Sequence, residues 1–286
     1  MNDRKFWYDG ELHSGNTLTL EITDPGLLYG ATVFTTLRVY DRTIEHPRTG
    51  WEEHCDRLCT SIQDFGWCEP DWERLYRGLR TLSQIYPVLR VAIFPDGREW
   101  ITGRSLPSDL TQRQQQGITA WLADEPKFHR SLAAWKTGNY LSPWLALQAG
   151  RKYAAQEAIL TDDVGNWLET STGNLWGWQD GCWYTPPLEA GILPGLMRSR
   201  LLTSLKFQQQ SVLEVPWTPE MVREFEAIAY TNSVVEIVPI HTVLISSHNS
   251  HFFGNFYYPR SVTYATQLCQ YLGRKGGQSG QLEEKP

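Results

Sequence analysis

Lysine is scarce in this chain. Only Lys5, Lys127, Lys136, Lys152, Lys206, Lys275 and Lys285 stand among the 26 basic residues of a 286-residue sequence. Against 32 acidic residues the net charge is -6, so there is no overall cationic field for a polyanion, which excludes a dedicated nucleic-acid binder. A small anion held by a few arginines is not excluded. No apolar run approaches the roughly 18 to 20 residues that span a bilayer. The opening MNDRKFWYDG lacks the apolar core of a secretory leader. The expectation is a cytoplasmic protein with no membrane partner. The five cysteines, Cys55, Cys59, Cys68, Cys182 and Cys269, form no C-x-x-C pair, so neither a disulfide framework nor a metal site is expected. His248 and His251 form an H-x-x-H in a Ser/Asn-rich stretch with no carboxylate nearby in sequence, a pattern expected of surface histidines. The P-loop, H-E-x-x-H and G-x-S-x-G patterns are missing, and no G-x-G-x-x-G follows a strand. Nucleotide kinases, zincins, α/β-hydrolases and Rossmann dehydrogenases lose weight accordingly.

Strand and helix signals alternate along the chain. Residues 5–8 and 17–22 are expected to be extended, with an Asp9-Gly10 turn between them. TVFTTLRVY (32–40) is β-branched and aromatic enough for a strand. Residues 51–65 and 70–85 are expected to be helices, the second placing Trp72, Leu75, Leu79 and Leu82 on one face. Residues 88–94 form a buried-strand candidate closed by Pro95-Asp96-Gly97. A polar stretch, 107–116, marks a seam near Gly117. Beyond it, Ser142-Pro143 opens a helix to about Glu157, and Pro194-Gly195 opens another to about Leu205. Strands are expected at 158–161, 174–178, 182–185, 227–231 and 235–240, and a last helix runs from about Pro259 to Gly273. The sum is a mixed α/β protein: a small N-terminal α/β domain over 1–117, a larger domain over 118–274, and a Gly/Gln/Glu-rich tail, 275–286, expected to be disordered.

Among the lysines, Lys136 differs in setting. AAWKTGNYL surrounds it with small and aromatic residues, where desolvation lowers an amine pKa toward that of a nucleophile; an ordinary loop lysine packed on Trp135 is the plain alternative. Glu169, in LETSTGNLW, could cap its loop or hold a protonated ring nitrogen. Arg57, in EEHCDRLCT, could pair with Glu53 on a helix surface or clamp a phosphate with its planar donor fork. In LPGLMRSR the first free N–H groups of a helix, on Leu196 and Met197, would face an anion.

Six segments occur in a telling order: YGATVFTTLRVYD, HCDRL, KTGNYL, LETSTGNLW, DGCWYTPP with GILPGLMR, and TNSVVEIVPI. In that order and spacing the chain, from about Phe6 to His241, resembles the class IV, fold-type IV pyridoxal-phosphate enzymes. These include branched-chain aminotransferases, D-amino-acid aminotransferases and aminodeoxychorismate lyases. The resemblance implies pyridoxal 5′-phosphate as cofactor, with Lys136 as the Schiff-base lysine and Glu169 as partner of the pyridine nitrogen. It also implies Arg57, the Leu196 and Met197 backbones and Ser233 as phosphate ligands. Tyr140 lies near a tyrosine that bonds the cofactor's phenolic oxygen, although the Lys-to-Tyr interval is one residue shorter here. The resemblance further implies a pseudo-barrel large domain and a homodimer with the site at the domain interface.

Within the family the fingerprint is mixed. Phe34-Thr35-Thr36-Leu37-Arg38 stands where branched-chain enzymes carry Phe-Glu-Gly-Ile-Arg, and it resembles the lyases, as does Asn232 in TNSVVEIVPI. Tyr29-Gly30 and Leu193-Pro194-Gly195 are similar to the branched-chain group. The expected activity is conversion of 4-amino-4-deoxychorismate to 4-aminobenzoate and pyruvate, a step of folate precursor synthesis. The alternative is transamination of branched-chain or D-amino acids. Thr35 or Thr36 could supply a hydroxyl to the leaving group. A small anionic amine substrate needs cationic partners, and Arg38, Arg90, Arg98 and Arg104 are available, with Arg98 favoured; Tyr29 and Asn232 complete the expected substrate contacts.

Overall fold

A turn decides how the chain begins. Asp9 and Gly10 both take positive φ, 45° and 89°, the backbone of a two-residue hairpin turn whose twist matches that of its strands. The chain therefore returns at once, and β1 (Lys5–Tyr8) pairs antiparallel with β2 (Glu11–Ser14). The strand expected at 17–22 does not form. A computed structural model describes residues 4–245 and 254–273; His248, His251 and the tail lie outside the described residues.

After β2 come α1 (Pro25–Tyr29), β3 (Val33–Arg38), α2 (Trp51–Asp64), α3 (Trp72–Ser83), β4 (Val88–Ile93), β5 (Glu99–Arg104) and α4 (Leu110–Gln116). The first five strands form an antiparallel sheet in the order β2-β1-β5-β4-β3. α2 and α3 bury their apolar stripes against one face of it, where Leu58, Ile62, Leu75, Leu79 and Leu82 meet Val33, Leu37, Leu89, Val91 and Ile101. Each such leucine contributes about 2 kcal/mol of burial. Because strand side chains alternate, Phe34, Thr36 and Arg38 of β3 share the opposite face with Arg90 of β4 and Arg104 of β5.

The remaining elements are β6 (Ile118–Ala123), α5 (Leu141–Arg151), β7 (Glu157–Thr161), β8 (Trp167–Thr170), β9 (Asn174–Gln179), β10 (Cys182–Thr185), α6 (Leu196–Phe207), β11 (Val212–Glu214), α7 (Met221–Glu224), β12 (Ala227–Asn232), β13 (Glu236–Leu244), β14 (Phe256–Tyr257) and α8 (Ser261–Gly273). α5 stops at Arg151 rather than near Glu157, which instead starts a strand buried along its whole length. The second sheet runs β11-β10-β9-β12-β13-β6-β7-β8, and β8 pairs back to β9 through Glu169 and Asn174. Six of its strands thus close into a ring, the pseudo-barrel the resemblance implies. α6 and α8 bury Leu201, Leu205 and Leu268 among Trp176, Trp178 and Trp183.

Two compact units result. Of the described residues, those within 1–111, 129–145 and 233–235 form one, and those within 112–128, 146–232 and 236–273 form the other. The seam expected near Gly117 is therefore not a single cut, since residues 129–145, Lys136 included, group with the first unit. No described helix is long and apolar enough to cross a membrane.

Candidate active site

In the first unit, backbone pairing places Lys136. Its carbonyl accepts from Phe34 N–H at 2.8 Å, and Thr137 bridges Val33, so the segment lies alongside β3. Gly138 permits this approach: a Cβ there would sit 2.3 Å from Thr32 Oγ1 and 2.5 Å from the Gly30 carbonyl. Upstream, Trp135 donates to Asp64 at 2.8 Å and packs on Phe65.

The Lys136 ammonium then stands between two rings, 4.7 Å from the Phe34 centroid and 4.9 Å from that of Tyr140, with the Tyr140 hydroxyl 3.5 Å away. Phe34 and Tyr140 meet edge to face. Arg90 covers Phe34 at 3.9 Å, and Arg130 covers Tyr140 at 5.3 Å. Burial lowers the Arg57 pKa to about 10 and lowers that of Arg90, and the Tyr140 hydroxyl acts electrostatically on both. Lys136, Tyr140 and Arg57, which the resemblance implies meet one cofactor, are linked here by the Lys136–Tyr140 approach and the effect of Tyr140 on Arg57.

Arg57 shows what this cluster lacks. Its Nη2 donates to Thr35 Oγ1 at 2.6 Å, while its Nε is buried with no hydrogen-bond partner. Arg90 Nε is likewise buried without one. Among the described residues neither guanidinium has a carboxylate partner. Buried donors of this kind call for an anion, so Arg57 fits a phosphate.

In the second unit, buried Glu169 takes the Leu193 N–H at 3.1 Å, and Asn174 donates to the Leu193 carbonyl at 2.8 Å. The two residues that close the barrel ring thus also fix the Leu193-Pro194-Gly195 approach to α6. That helix begins after Gly195 with no side-chain cap and no acidic residue in its first turn, which leaves the Leu196 and Met197 N–H groups suited to an anion. Asn232, at the end of β12, donates to Thr172 at 3.3 Å. Thr172 and Ser171 donate in turn to Glu157, a buried carboxylate pushed above the usual range by burial and held against that shift by these hydroxyls and the Ala158 N–H. Ser233, half-buried in the turn between β12 and β13, groups with the first unit.

Two expectations change. Arg98 is not available to a substrate carboxylate: it pairs with Asp24 at 2.7 Å and Asp96 at 2.6 Å and donates to the Tyr8 hydroxyl. Burial lowers its pKa, but these bonds outweigh burial and raise it. Thr35 is fully buried on the helix-covered face, opposite Phe34 and Thr36, so only Thr36 shares the face of Phe34. Tyr29, an expected substrate contact, is 76% exposed at the end of α1. His54 was missed, though its spacing of three from Arg57 puts both on one helix face. Glu157 carries no such signal, because nothing local marks a strand-leading carboxylate for burial.

The sequence profile described as Amino-transferase class IV matches residues 32–243. The branched-chain-amino-acid aminotransferase of Escherichia coli K12 is 25% identical over 83% of this chain and 84% of its own length. Its fold is shared, since a crystal structure of the E. coli enzyme superposes with TM-score 0.74 at 22% identity, covering 94% of this chain and 93% of the other. A crystal structure described as that of a candidate 4-amino-4-deoxychorismate lyase is 27% identical, with TM-score 0.66, over 79% of this chain and 90% of its own. The chain belongs to the class IV aminotransferase family and is an enzyme of the fold-type IV architecture. Enzymes of this family use pyridoxal 5′-phosphate, a group whose aldehyde, phosphate and ring nitrogen suit an amine, a buried guanidinium and a carboxylate.

Proposed function

We propose that this enzyme converts 4-amino-4-deoxychorismate to 4-aminobenzoate and pyruvate, with Lys136 as Schiff-base lysine and proton-transfer base. The observation that carries the reading is the row of cationic side chains on the face of the first sheet opposite α2 and α3. Thr36 pairs across from Arg90, and one row on, Arg38 and Arg104 flank Val88. Cross-strand partners stand side by side on one face, so hydroxyl and guanidinium groups line it where a branched-chain substrate would need an apolar wall. A substrate with two carboxylates suits such a face, and Arg90 replaces Arg98 as the proposed carboxylate partner.

Arg57, the α6 N-terminus and Ser233 are the proposed phosphate ligands, Glu169 the partner of the ring nitrogen, and Tyr140 the neighbour of Lys136 at the reacting end. When bound, pyridoxal phosphate takes up the electron pair left on the amine-bearing carbon. Lys136 removes the proton from that carbon. Thr36 offers its hydroxyl to the departing enolpyruvyl oxygen, and loss of pyruvate leaves the ring aromatic. Substrate atoms divide between the two products with no further reactant. Asn232, held to Thr172, remains a proposed substrate contact.

A homodimer belongs to the same reading. Leu27, Leu28 and Tyr29 are exposed on α1, an apolar surface that a second copy would cover. The alternative, a class IV aminotransferase acting on branched-chain or D-amino acids, is favoured by the curated relatives. These include, besides the E. coli enzyme, a D-alanine aminotransferase of Bacillus licheniformis 22% identical over 84% of this chain and 88% of its own length. A product assay separates the two. Release of 4-aminobenzoate and pyruvate without any 2-oxo acid is expected; strict dependence on a 2-oxo acid with no aromatic product overturns the lyase reading. A visible cofactor band trapped by borohydride, and lost in Lys136→Ala, is expected in either case.

A further inference from the structure

The geometry points to Thr35 and His54 as positioning residues that hold the Arg57 guanidinium in its phosphate-binding orientation. This inference rests on the reading of Arg57 as a phosphate ligand. Arg57 Nη2 lies 2.6 Å from Thr35 Oγ1, and Thr35 Oγ1 lies 2.5 Å from His54 Nδ1. Thr35 and His54 are 0% and 1% exposed.

Proton placement along this chain is fixed by elimination. A guanidinium has no acceptor atom, so Thr35 accepts from Arg57. The hydroxyl proton of Thr35 then needs an acceptor away from water, and among the partners of Thr35 only His54 Nδ1 can serve. His54 therefore presents a bare Nδ1 and carries its proton on Nε2, the neutral tautomer. The result is a directed chain, Arg57 to Thr35 to His54, that leaves α2, touches β3 and returns to α2 one turn earlier. An arginine side chain has many rotamers, and this tether selects one while leaving Nε to another partner. The role also explains a threonine on the helix-covered face of β3, among Val33 and Leu37, where an apolar residue would otherwise pack.

The test compares the apoprotein's affinity for pyridoxal phosphate with that for pyridoxal, which lacks the phosphate, in wild type, Thr35→Val, Thr35→Ser, His54→Asn and Arg57→Gln. Thr35→Val keeps the shape and removes the hydroxyl. It is expected to weaken pyridoxal phosphate by about tenfold, the scale of one lost hydrogen bond to a charged group, and to leave pyridoxal unchanged. The ³¹P resonance of the bound cofactor should shift with it. Thr35→Ser, and His54→Asn with its acceptor oxygen near the Nδ1 position, should restore affinity and resonance toward wild type. Wild-type phosphate preference in Thr35→Val, alongside its loss in Arg57→Gln, overturns the positioning role alone. Equal weakening of both ligands by Thr35→Val overturns it too, as general loosening. Wild-type preference in Arg57→Gln overturns the phosphate reading itself.

Discussion

Replacing Arg98 with methionine separates a structural arginine from a substrate-binding one. The Asp24 side chain is 2% exposed and that of Arg98 25% exposed, with 2.7 Å between Oδ2 and Nη2. Removing one member of a buried pair costs about 3–5 kcal/mol because the other charge is left uncompensated. Two features pull toward the lower end: Arg98 keeps partial contact with water, and the Gly26 N–H still holds Asp24 at 2.7 Å. A loss of about 2–3 kcal/mol is expected for Arg98→Met, read as a lower urea midpoint of the apoprotein at pH 7. Asp24→Asn in the same background should return part of it, since a neutral amide needs no counter-charge. The pH dependence has a definite sign. Burial pushes the Asp24 carboxyl up, but hydrogen bonds from Arg98 and the Gly26 N–H outweigh it, and the folded pKa lies below the usual value. A depressed carboxyl pKa contributes stability above the unfolded value, about 3.9, and loses it as pH falls through the folded one. The gap between wild type and variant should therefore be full at pH 7 and shrink below about pH 4. Unchanged stability together with a tenfold or larger rise in KM would return Arg98 to the substrate and refute the reasoning.

Arg90→Leu should raise KM for the anionic substrate by about 10- to 100-fold, the range of a lost charge-assisted bond, with the cofactor spectrum intact; an unchanged KM would remove Arg90 from the site. Gly138→Ala drives a methyl against Thr32 Oγ1 and the Gly30 carbonyl. It should cost about 1–3 kcal/mol and reduce borohydride trapping at Lys136, and wild-type values of both would show that the segment yields freely. Glu157→Gln tests the buried carboxylate. Its folded pKa is raised by burial, so the stability it contributes is largest below the unfolded value near 4.3 and falls as pH rises through the folded one. Urea midpoints should show the variant gaining on wild type as pH increases; a constant difference from pH 4 to 8 would contradict that.

Much of the scaffold was legible because its signals are local. Asp9-Gly10 and Asp180-Gly181 each specify a tight turn, and both pairs take positive φ. The three- and four-residue spacing of Leu75, Leu79 and Leu82 specified the buried stripe of α3, and all three are fully buried. The strand expected at 17–22 failed because β propensity is weak beside a turn that had already reversed the chain at Glu11.

The candidate site was legible in part. Scarcity and setting marked Lys136 out, and ordered motifs pointed to Arg57 and Glu169. Sequence alone favoured Arg98 over Arg90, because nothing local to either arginine shows which of them meets a carboxylate. Folding brought Asp24, 74 residues away in sequence, onto Arg98, while Arg90 packs on the Phe34 ring with no carboxylate partner among the described residues. Alternation likewise determined that Thr35 and Thr36 face opposite ways, but not which of them the helices would cover. Local pattern sets backbone conformation and side-chain alternation because both arise between near neighbours. Which charges meet, and which stay unpaired, depends on contacts between distant segments, and only the tertiary structure decided that.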